Sequence, residues 1–500
     1  MSAPIERVAS PQPRPTGRAP RVDVAIVGAG PAGLAAAASA AERGVRVAVI
    51  DAAEQPGGQF WRHRSEAAGV ADDGSLHHGW QTYLDLRRRF DSAVAAGRIE
   101  YLPRTSVWMV QRGPEGFTLR LSASFGTTSE PRVIHASTLV LATGGYDRQL
   151  PVPGWELPGV MAAGGVQAFI KQNGSLPGSR FVIAGTGPFL LPVAANIVAA
   201  GGHVAAVCES ADLTGWVPRA HRALAVPEKG IEGAEYAWTF LRHRIPYRTR
   251  TVVTEILGDT AVESVRTARL RRDGSIVPGS ARLVPNVDAI GLGWGFTPQL
   301  ELPVALGAET RVDVDGSLVA EVDAGQRSTV PGLYLAGELT GVGGAALAVV
   351  EGAVAGRAAA LAATSGTDPD PGGVPAPREA RIIRRQRAFA AAMHRAHPIP
   401  RGWESRVHED TVVCRCEEVT AGAIASARDD MQAADTRTQK GVTRAGMGWC
   451  QGRVCGAAVA CLSAAGSDPD PAGPSTSLRQ NARRPIAHPI PLGDLRDLVD

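Results

Sequence analysis

Between Val22 and Asp51 the chain changes its hydrophobic rhythm three times. Val22 to Val27 is an apolar run of strand length, Gly28-Ala-Gly-Pro-Ala-Gly33 interrupts it, an Ala-rich helical stretch continues to about Arg43, and Val45 to Ile50 is a second apolar run ending in Asp51. That order predicts a strand, a turn, a helix and a strand. The pattern recurs from Phe181 to Ala184, through Gly185-Thr-Gly-Pro-Phe-Leu190 and a helix to about Ala200, to a strand from Val204 to Val207 that ends at Cys208-Glu209. One architecture is therefore expected twice. The uncharged stretch Phe189 to Cys208 has the length of a membrane span, but Pro192, Asn196, Gly201, Gly202 and His203 divide it into helix, turn and strand. No membrane span is expected there.

Two polar segments punctuate the second half. TSGTDPDPGGVPAP (364–377) and GSDPDPAGPSTS (466–477) are rich in Pro, Gly, Asp and Ser, so both read as linkers. Between them lies a module with helices expected at Ala421 to Ala434 and Gln451 to Ala464. The following ARRPIAHPIPLGDL has too many prolines for a helix and is expected to lie extended.

Composition narrows the class. Five hundred residues exceed one core and imply two to four domains, and 5% aromatics favours closely packed α/β layers. A net charge of +3, from 52 basic and 49 acidic residues, excludes a polyanion as partner, so no nucleic acid is expected. The first twenty residues lack the apolar core of a secretory signal, which points to the cytoplasm. In that reducing compartment, paired cysteines hold metals or do redox work more often than they form structural disulfides.

The first glycine turn has the chemistry of a dinucleotide site. Gly28 permits the tight turn, Gly30 lets backbone approach a pyrophosphate, Pro31 opens the helix, and Gly33 lets the helix pack on the strand. Asp51, eighteen residues beyond Gly33, is placed to bind a ribose hydroxyl. Three further segments favour FAD: Pro56-Gly-Gly-Gln59, with Gly58 and Gln59; STLVLATGGYDRQLPVPG (137–154), with Thr143 and Gly144; and TVPGLYLAGELTGVGGA (329–345), with Gly337 and Glu338. In the second copy Leu190 replaces the third glycine. Gly185, Gly187 and Glu209 are suited to NAD or another adenine nucleotide, NADP is disfavoured because no Arg follows Glu209 at once, and a purely structural fold remains equally open.

Four of the six cysteines fall in TVVCRCEEVT (411–420) and GMGWCQGRVC (446–455). One residue separates Cys414 from Cys416, thirty-three separate Cys416 from Cys450, and four separate Cys450 from Cys455. Each pair precedes or opens an expected helix, whose N-terminal dipole favours thiolates. Four thiolates suit a 2Fe-2S cluster or structural zinc, and spacing alone leaves both open beside a disulfide or unliganded thiols, with the cluster favoured because zinc sites usually use wider knuckles than C-x-C. Cys208 and Cys461 stand alone, and His63, His77, His78 and His394 read as packing or surface residues, since nothing beside them marks a pair or triad.

The FAD motifs together resemble the two-dinucleotide-domain flavoproteins, in which an acid at the position of Glu338, more often Asp, contacts the FAD ribityl chain. Gln59-Phe60-Trp61 stands where the glutathione-reductase-like members have their redox cysteines, so thioredoxin-reductase chemistry is not expected. CRCEEVT, GMGWCQGRVC, GTGPFLLPVAA and the Arg-Pro-rich tail resemble the FAD-dependent α subunit of the opine oxidase, hydroxyproline dehydrogenase and hydrogen cyanide synthase type, with its fused bacterioferritin-associated-ferredoxin-like 2Fe-2S domain. The second pair here is C-x4-C, as in the fused variant, where the small free-standing module has C-x-x-C.

The resemblance implies an α/β fold of two Rossmann-like dinucleotide-binding domains, the second inserted in the first, plus a small, mainly helical 2Fe-2S domain. On that basis residues 1–19 are a disordered N-terminus, 20–155 and 280–365 the FAD domain, 156–279 the second nucleotide domain, 366–379 a linker, 380–465 the 2Fe-2S domain and 466–500 an extended tail. It implies Cys414, Cys416, Cys450 and Cys455 as iron ligands, FAD and a 2Fe-2S cluster as cofactors, and FMN at a subunit interface as a further option. The implied partners are a β-type flavoprotein subunit similar to amino-acid oxidases and, optionally, a small ferredoxin-like subunit. The implied function is electron transfer within an amine, opine or hydroxyproline dehydrogenase; no general base or substrate carboxylate clamp stands out in this chain. Two other readings stay open: a self-sufficient NADH-dependent acceptor or ferredoxin reductase, and a non-catalytic scaffold.

Overall fold

The computed structural model describes residues 20–69, 74–124, 132–370, 374–464, 475–484 and 487–493, so the stretch 1–19, expected to be disordered, lies outside the described residues. The first sheet has seven strands, in the order Ile99–Leu102, Val47–Ile50, Arg21–Val27, Arg132–Leu141, Gly116–Ala123, Thr105–Gly113, with Leu333–Leu335 also paired to Arg132–Leu141. The long strand Arg132–Leu141 serves three neighbours: one edge pairs parallel with Arg21–Val27, and on the other its first half pairs antiparallel with Gly116–Ala123 and its second half parallel with Leu333–Leu335. Val24, Ala25 and Ile26 are fully buried, as befits a strand covered on both faces.

Small residues set the layer above this sheet. Helix Pro31–Ala41 is almost wholly buried against helix Ala345–Ser365. A Cβ on Gly352 would lie 2.0 Å from the Ala32 carbonyl oxygen, and one on Gly356 would lie 2.2 Å from that of Ala36. Only glycine at those two positions lets the helices touch backbone to backbone. Ala345–Ser365 is the one described helix long and apolar enough to cross a membrane, and here it is a packed core element.

The second sheet is parallel, with the order Tyr247–Arg248, His203–Glu209, Arg180–Gly185, Ala289–Gly293, Val160–Ala162. A three-stranded antiparallel sheet, Thr251–Leu257, Ser264–Arg269 and Arg282–Pro285, flanks it. This corrects one boundary. Residues 280–293 belong with the second fold, because the fully buried strand Ala289–Gly293 pairs between Arg180–Gly185 and Val160–Ala162. The chain crosses between the folds along Gly145–Asp147 and Phe296–Pro298, which pair antiparallel.

The C-terminal region departs from expectation in four places. Helix Pro377–Ala396 packs on Ala345–Ser365 through Arg387–Glu351 (2.6 Å) and Arg357–Glu379 (2.5 Å), so it joins the flavoprotein body rather than the cysteine module. The helix expected over 421–434 ends at Met431, because Gln432 takes a left-handed φ of 56° and Asp435 accepts from Arg437 N and Thr438 N to start another helix, Thr436–Thr443. The helix expected from Gln451 begins at Gly456, since Gln451 (φ 55°) and Gly452 (φ 75°) hold a turn. Helix Ser475–Ala482 interrupts the segment expected to be extended, and Ala487 N then donates to Trp108 O at 2.8 Å.

The linkers do not hold the module apart. Cys414, Cys455, Val413, Ile424 and Val459 share one buried cluster with Leu150, Val252 and Trp294 of the body. Trp155 Nε1 donates to Val412 O at 2.5 Å, and the Arg415 guanidinium lies 5.3 Å from the Trp155 ring centroid.

Candidate flavin and metal sites

A cavity of about 2010 Å³ runs along the carboxyl ends of the first sheet and reaches the second fold. Its wall includes Gly28, Gly30, Pro31, Asp51, Gly58, Gln59, Thr143, Gly144, Gly337 and Glu338. Gly33 stands behind that wall. A Cβ there would fall 1.7 Å from the Gly28 carbonyl oxygen, so its task is packing.

The turn is built for close approach. Gly28 has φ 101° and a Cβ on it would meet Ala142 O at 2.4 Å; Gly58 has φ 61° and a Cβ on it would meet Gly30 Cα at 2.7 Å. A Cβ on Gly30 would meet only Gly58 Cα, at 3.7 Å, so this residue shows the cavity bare backbone. Asp51 accepts from Ala29 N and, at 2.6 Å, from Ala53 N, which fixes its carboxylate at the strand end. Burial raises its pKa, against the lowering effect of those two amides. Gln59 accepts from Arg62. Thr143 donates to Gln299 O at 3.3 Å, and Gly144 accepts from Gln299 N at 3.0 Å.

Glu338 closes the far end. Its Oε1 accepts from Gly344 N at 3.1 Å, its Oε2 is buried with no protein partner, and burial pushes its pKa up to about 7. A buried acceptor aimed along a glycine-lined trough fits a hydroxyl-bearing FAD ribityl chain. Below it is a network that the sequence did not reveal: Glu351, 1% exposed, accepts from Gly337 N and Thr340 Oγ1, both at 3.2 Å, and pairs with Arg387. The one acid in a mostly apolar helix was the signal for Glu351, but its partner lies thirty-six residues onward, past the linker.

Asp147 also lines the cavity, and burial pushes its pKa up to about 6 from 3.8, opposed by the Gly164 amide. Between those values the folded chain binds more protons than the unfolded chain, so this group's stability contribution is lost as pH rises through the window. Asp147→Asn keeps an acceptor for Gly164 and removes the charge. It should match the parent below pH about 4 and exceed it by about 1–3 kcal/mol at pH about 8 in urea unfolding. Equal stability of the two at the higher pH would contradict this.

The second turn is arranged differently. Gly185 (φ 148°) and Gly187 (φ 95°) form it, but Glu209 is wholly buried. Its Oε2 accepts from Gly187 N and its Oε1 from Ala211 N, both at 2.9 Å, while His397 Nδ1 lies 3.3 Å from Oε2. Trp216 Nε1 donates to His397 Nε2 at 2.9 Å, which leaves the ring proton on Nδ1, a buried atom that makes no hydrogen bond to the carboxylate beside it. Pro398 O accepts from Thr186 Oγ1 at 3.3 Å. The chain following helix Pro377–Ala396 thus covers the acid that would hold an adenosine ribose.

The four histidines singled out in the sequence all line the cavity. His63 contacts Trp61 O (2.7 Å) and Glu66 (3.1 Å), His77 stacks on Trp80, His78 meets the edge of Tyr236, and His394 bonds Val342 O at 2.8 Å.

The four cysteines of the module come together although thirty-three residues separate the pairs. Cys455 neighbours Cys414 and Cys450, Cys416 neighbours Cys450, and Gly446 N donates to Cys414 Sγ at 3.4 Å. The shared Cys455 proton holds Cys414 down to about 6, helped by the amides of Gly446, Glu417 and Cys416, and holds Cys450 down to about 5. Cys455 is raised correspondingly, and burial raises Cys416. Among the described residues no group of three or more His, Cys, Asp or Glu is preset in metal-holding geometry. The donor set, soft sulfurs with several backbone amides aimed at them, is nevertheless the chemistry of an iron-sulfur or zinc centre.

Comparison with known proteins gives the family. A family model described as pyridine nucleotide-disulphide oxidoreductase matches residues 22–360. The opine oxidase A subunit of Rhizobium meliloti (strain 1021) is 33% identical, over 96% of this chain and 99% of that protein. The HcnB subunit of hydrogen cyanide synthase from Pseudomonas aeruginosa is also 33% identical, over 86% of this chain and 90% of that protein. Among solved structures, L-proline dehydrogenase from P. horikoshii shares the fold at a TM-score of 0.65 and 19% identity, covering 96% of this chain and 80% of that one. The chain belongs to the pyridine nucleotide-disulphide oxidoreductase family and, within it, to the FAD-dependent α-subunit group of opine oxidase and hydrogen cyanide synthase: it is an FAD-dependent oxidoreductase.

Proposed function

We propose that the chain is the electron-transferring flavoprotein subunit of a multi-subunit, cytoplasmic amine dehydrogenase acting on an opine, hydroxyproline or related secondary amine. The observation that carries this reading is that the loop between Cys450 and Cys455 contributes Arg453 and Val454 to the wall of the cavity lined by the FAD motifs. Bound FAD would supply conversion of two-electron to one-electron chemistry, and a 2Fe-2S centre held by Cys414, Cys416, Cys450 and Cys455 would supply one-electron carriage. The chain's own contribution is placement: Gly28, Gly30 and Gly58 admit the pyrophosphate, Asp51 takes a ribose hydroxyl, and Glu338 takes the ribityl chain. Substrate oxidation falls to a β-type flavoprotein partner. Covering of Glu209 by His397 favours the structural reading of the second fold over occupancy by NAD, and it disfavours a self-sufficient NADH-dependent reductase.

The test compares the isolated chain with the co-expressed complex on hydroxyproline isomers, nopaline, octopine, sarcosine and glycine, read with an artificial dye. The isolated chain should be slower by at least about a hundredfold. Comparable turnover by the isolated chain would sink the subunit reading, and dye reduction by NADH alone would promote the reductase.

A further inference from the structure

The residues between Cys450 and Cys455 have a role that metal binding does not require. Two of the four, Gln451 and Gly452, take left-handed conformations, and Arg484 Nη1 donates to Gln451 Oε1 at 3.2 Å. That turn projects the other two out of the module. Val454 packs into the apolar cluster of the second fold, with Trp155 and Val152. Arg453 reaches into the first fold: its Nε donates to Glu301 at 2.9 Å, its Nη2 donates to the Ala487 carbonyl, and its guanidinium carbon lies 5.4 Å from the Tyr146 ring centroid. Arg453 and Glu301 are 13% and 10% exposed, so the pair is shielded from solvent. Tyr146 sits two residues after Gly144, on the strand Gly145–Asp147 that continues directly from the FAD turn.

We infer that Arg453 is a positioning residue that clamps the cysteine loop onto the flavin cavity, and that the four-residue spacing of Cys450 and Cys455 exists to deliver it. A two-residue spacing has no room both to turn and to project a side chain across the domain boundary. The guanidinium suits the task because its planar fork serves Glu301 and the Ala487 carbonyl together while its face covers Tyr146; an ammonium cannot do all three. The tail takes part as well, since Ala487 supplies one acceptor and also donates to Trp108 of the first sheet. The inference rests on the flavin and metal readings above only for its consequence, the distance between the two centres.

The test uses the full chain as purified. Arg453→Met should retain FAD and metal yet exchange the amides of 446–456 and 144–147 about tenfold faster in deuterium. Glu301→Gln should do the same more weakly, and Arg453→Lys should fall between Met and the parent. In protein carrying both centres, the delay between light-driven flavin reduction and bleaching of the cluster should lengthen about tenfold in Arg453→Met. Unchanged exchange at both segments in Arg453→Met, or in Glu301→Gln where Arg453→Met fails to fold, overturns the clamp whatever metal is bound. Zinc in place of iron in native-host protein would instead overturn the proposed electron relay, and the exchange measurement would still decide the clamp.

Discussion

Gly33→Ala is expected to cost the chain about 3 kcal/mol of stability, while Gly30→Val, a larger change on the same turn, is expected to leave the fold and remove the FAD. The difference follows from what each new side chain meets. At Gly33 the added carbon would lie 1.7 Å from the Gly28 carbonyl oxygen, so helix Pro31–Ala41 must lift from the sheet. That helix is pinned from above by Gly352 and Gly356, whose own hydrogens leave no slack against Ala32 and Ala36. At Gly30 the first added carbon meets nothing nearer than Gly58 Cα at 3.7 Å, and the side chain extends into the space a pyrophosphate needs. Gly30→Val should therefore express as folded protein with FAD affinity lowered by at least about a hundredfold, read from flavin absorbance after gel filtration and from urea unfolding. Stoichiometric FAD in that variant would show that the site is placed wrongly.

The two glycine turns were legible because they are local: strand, turn, helix and terminal acid fall within about thirty residues. The carboxyl-terminal boundary of the second fold was not, because strand Ala289–Gly293 is added to its sheet long after strand His203–Glu209, and strand pairing across such a gap leaves no periodic trace. For the same reason Arg387 under Glu351, His397 on Glu209 and Arg453 on Glu301 were invisible. Each joins residues brought together by domain packing rather than by chain proximity. The helix breaks at Gln432 and Gln451 were missed because non-glycine residues there adopt left-handed backbone, which composition does not announce. Proline counting missed Ser475–Ala482, which lies between Pro474 and Pro485. The two cysteine pairs stood out by spacing, whereas the shared core that seats them on the body did not.

That shared core shapes what loss of a cysteine should do. Cys455→Ser is expected to remove most iron and sulfide from the protein while FAD remains bound. The residues proposed to hold FAD, from Gly28 to Glu338, lie in the first fold, and from residues 403–464 only Arg453 and Val454 reach the cavity wall. Cys455 is 2% exposed and neighbours both Cys414 and Cys450, so its thiol stands at the centre of the set. Cys461, the remaining thiol of the module, is raised to about 11 chiefly by burial, which makes it a poor replacement ligand. Because Cys414 and Cys455 pack in one cluster with Leu150, Val252 and Trp294, metal loss should also loosen the module from the body. Amide exchange at 446–456 should rise accordingly. Cys416→Ser, at an exposed thiol, should lose metal with less effect on docking. Iron, sulfide, zinc and FAD measured on the same native-host preparations decide the matter. Iron retained in Cys455→Ser would remove Cys455 from the ligand set, and zinc in the parent would replace the cluster with a structural metal.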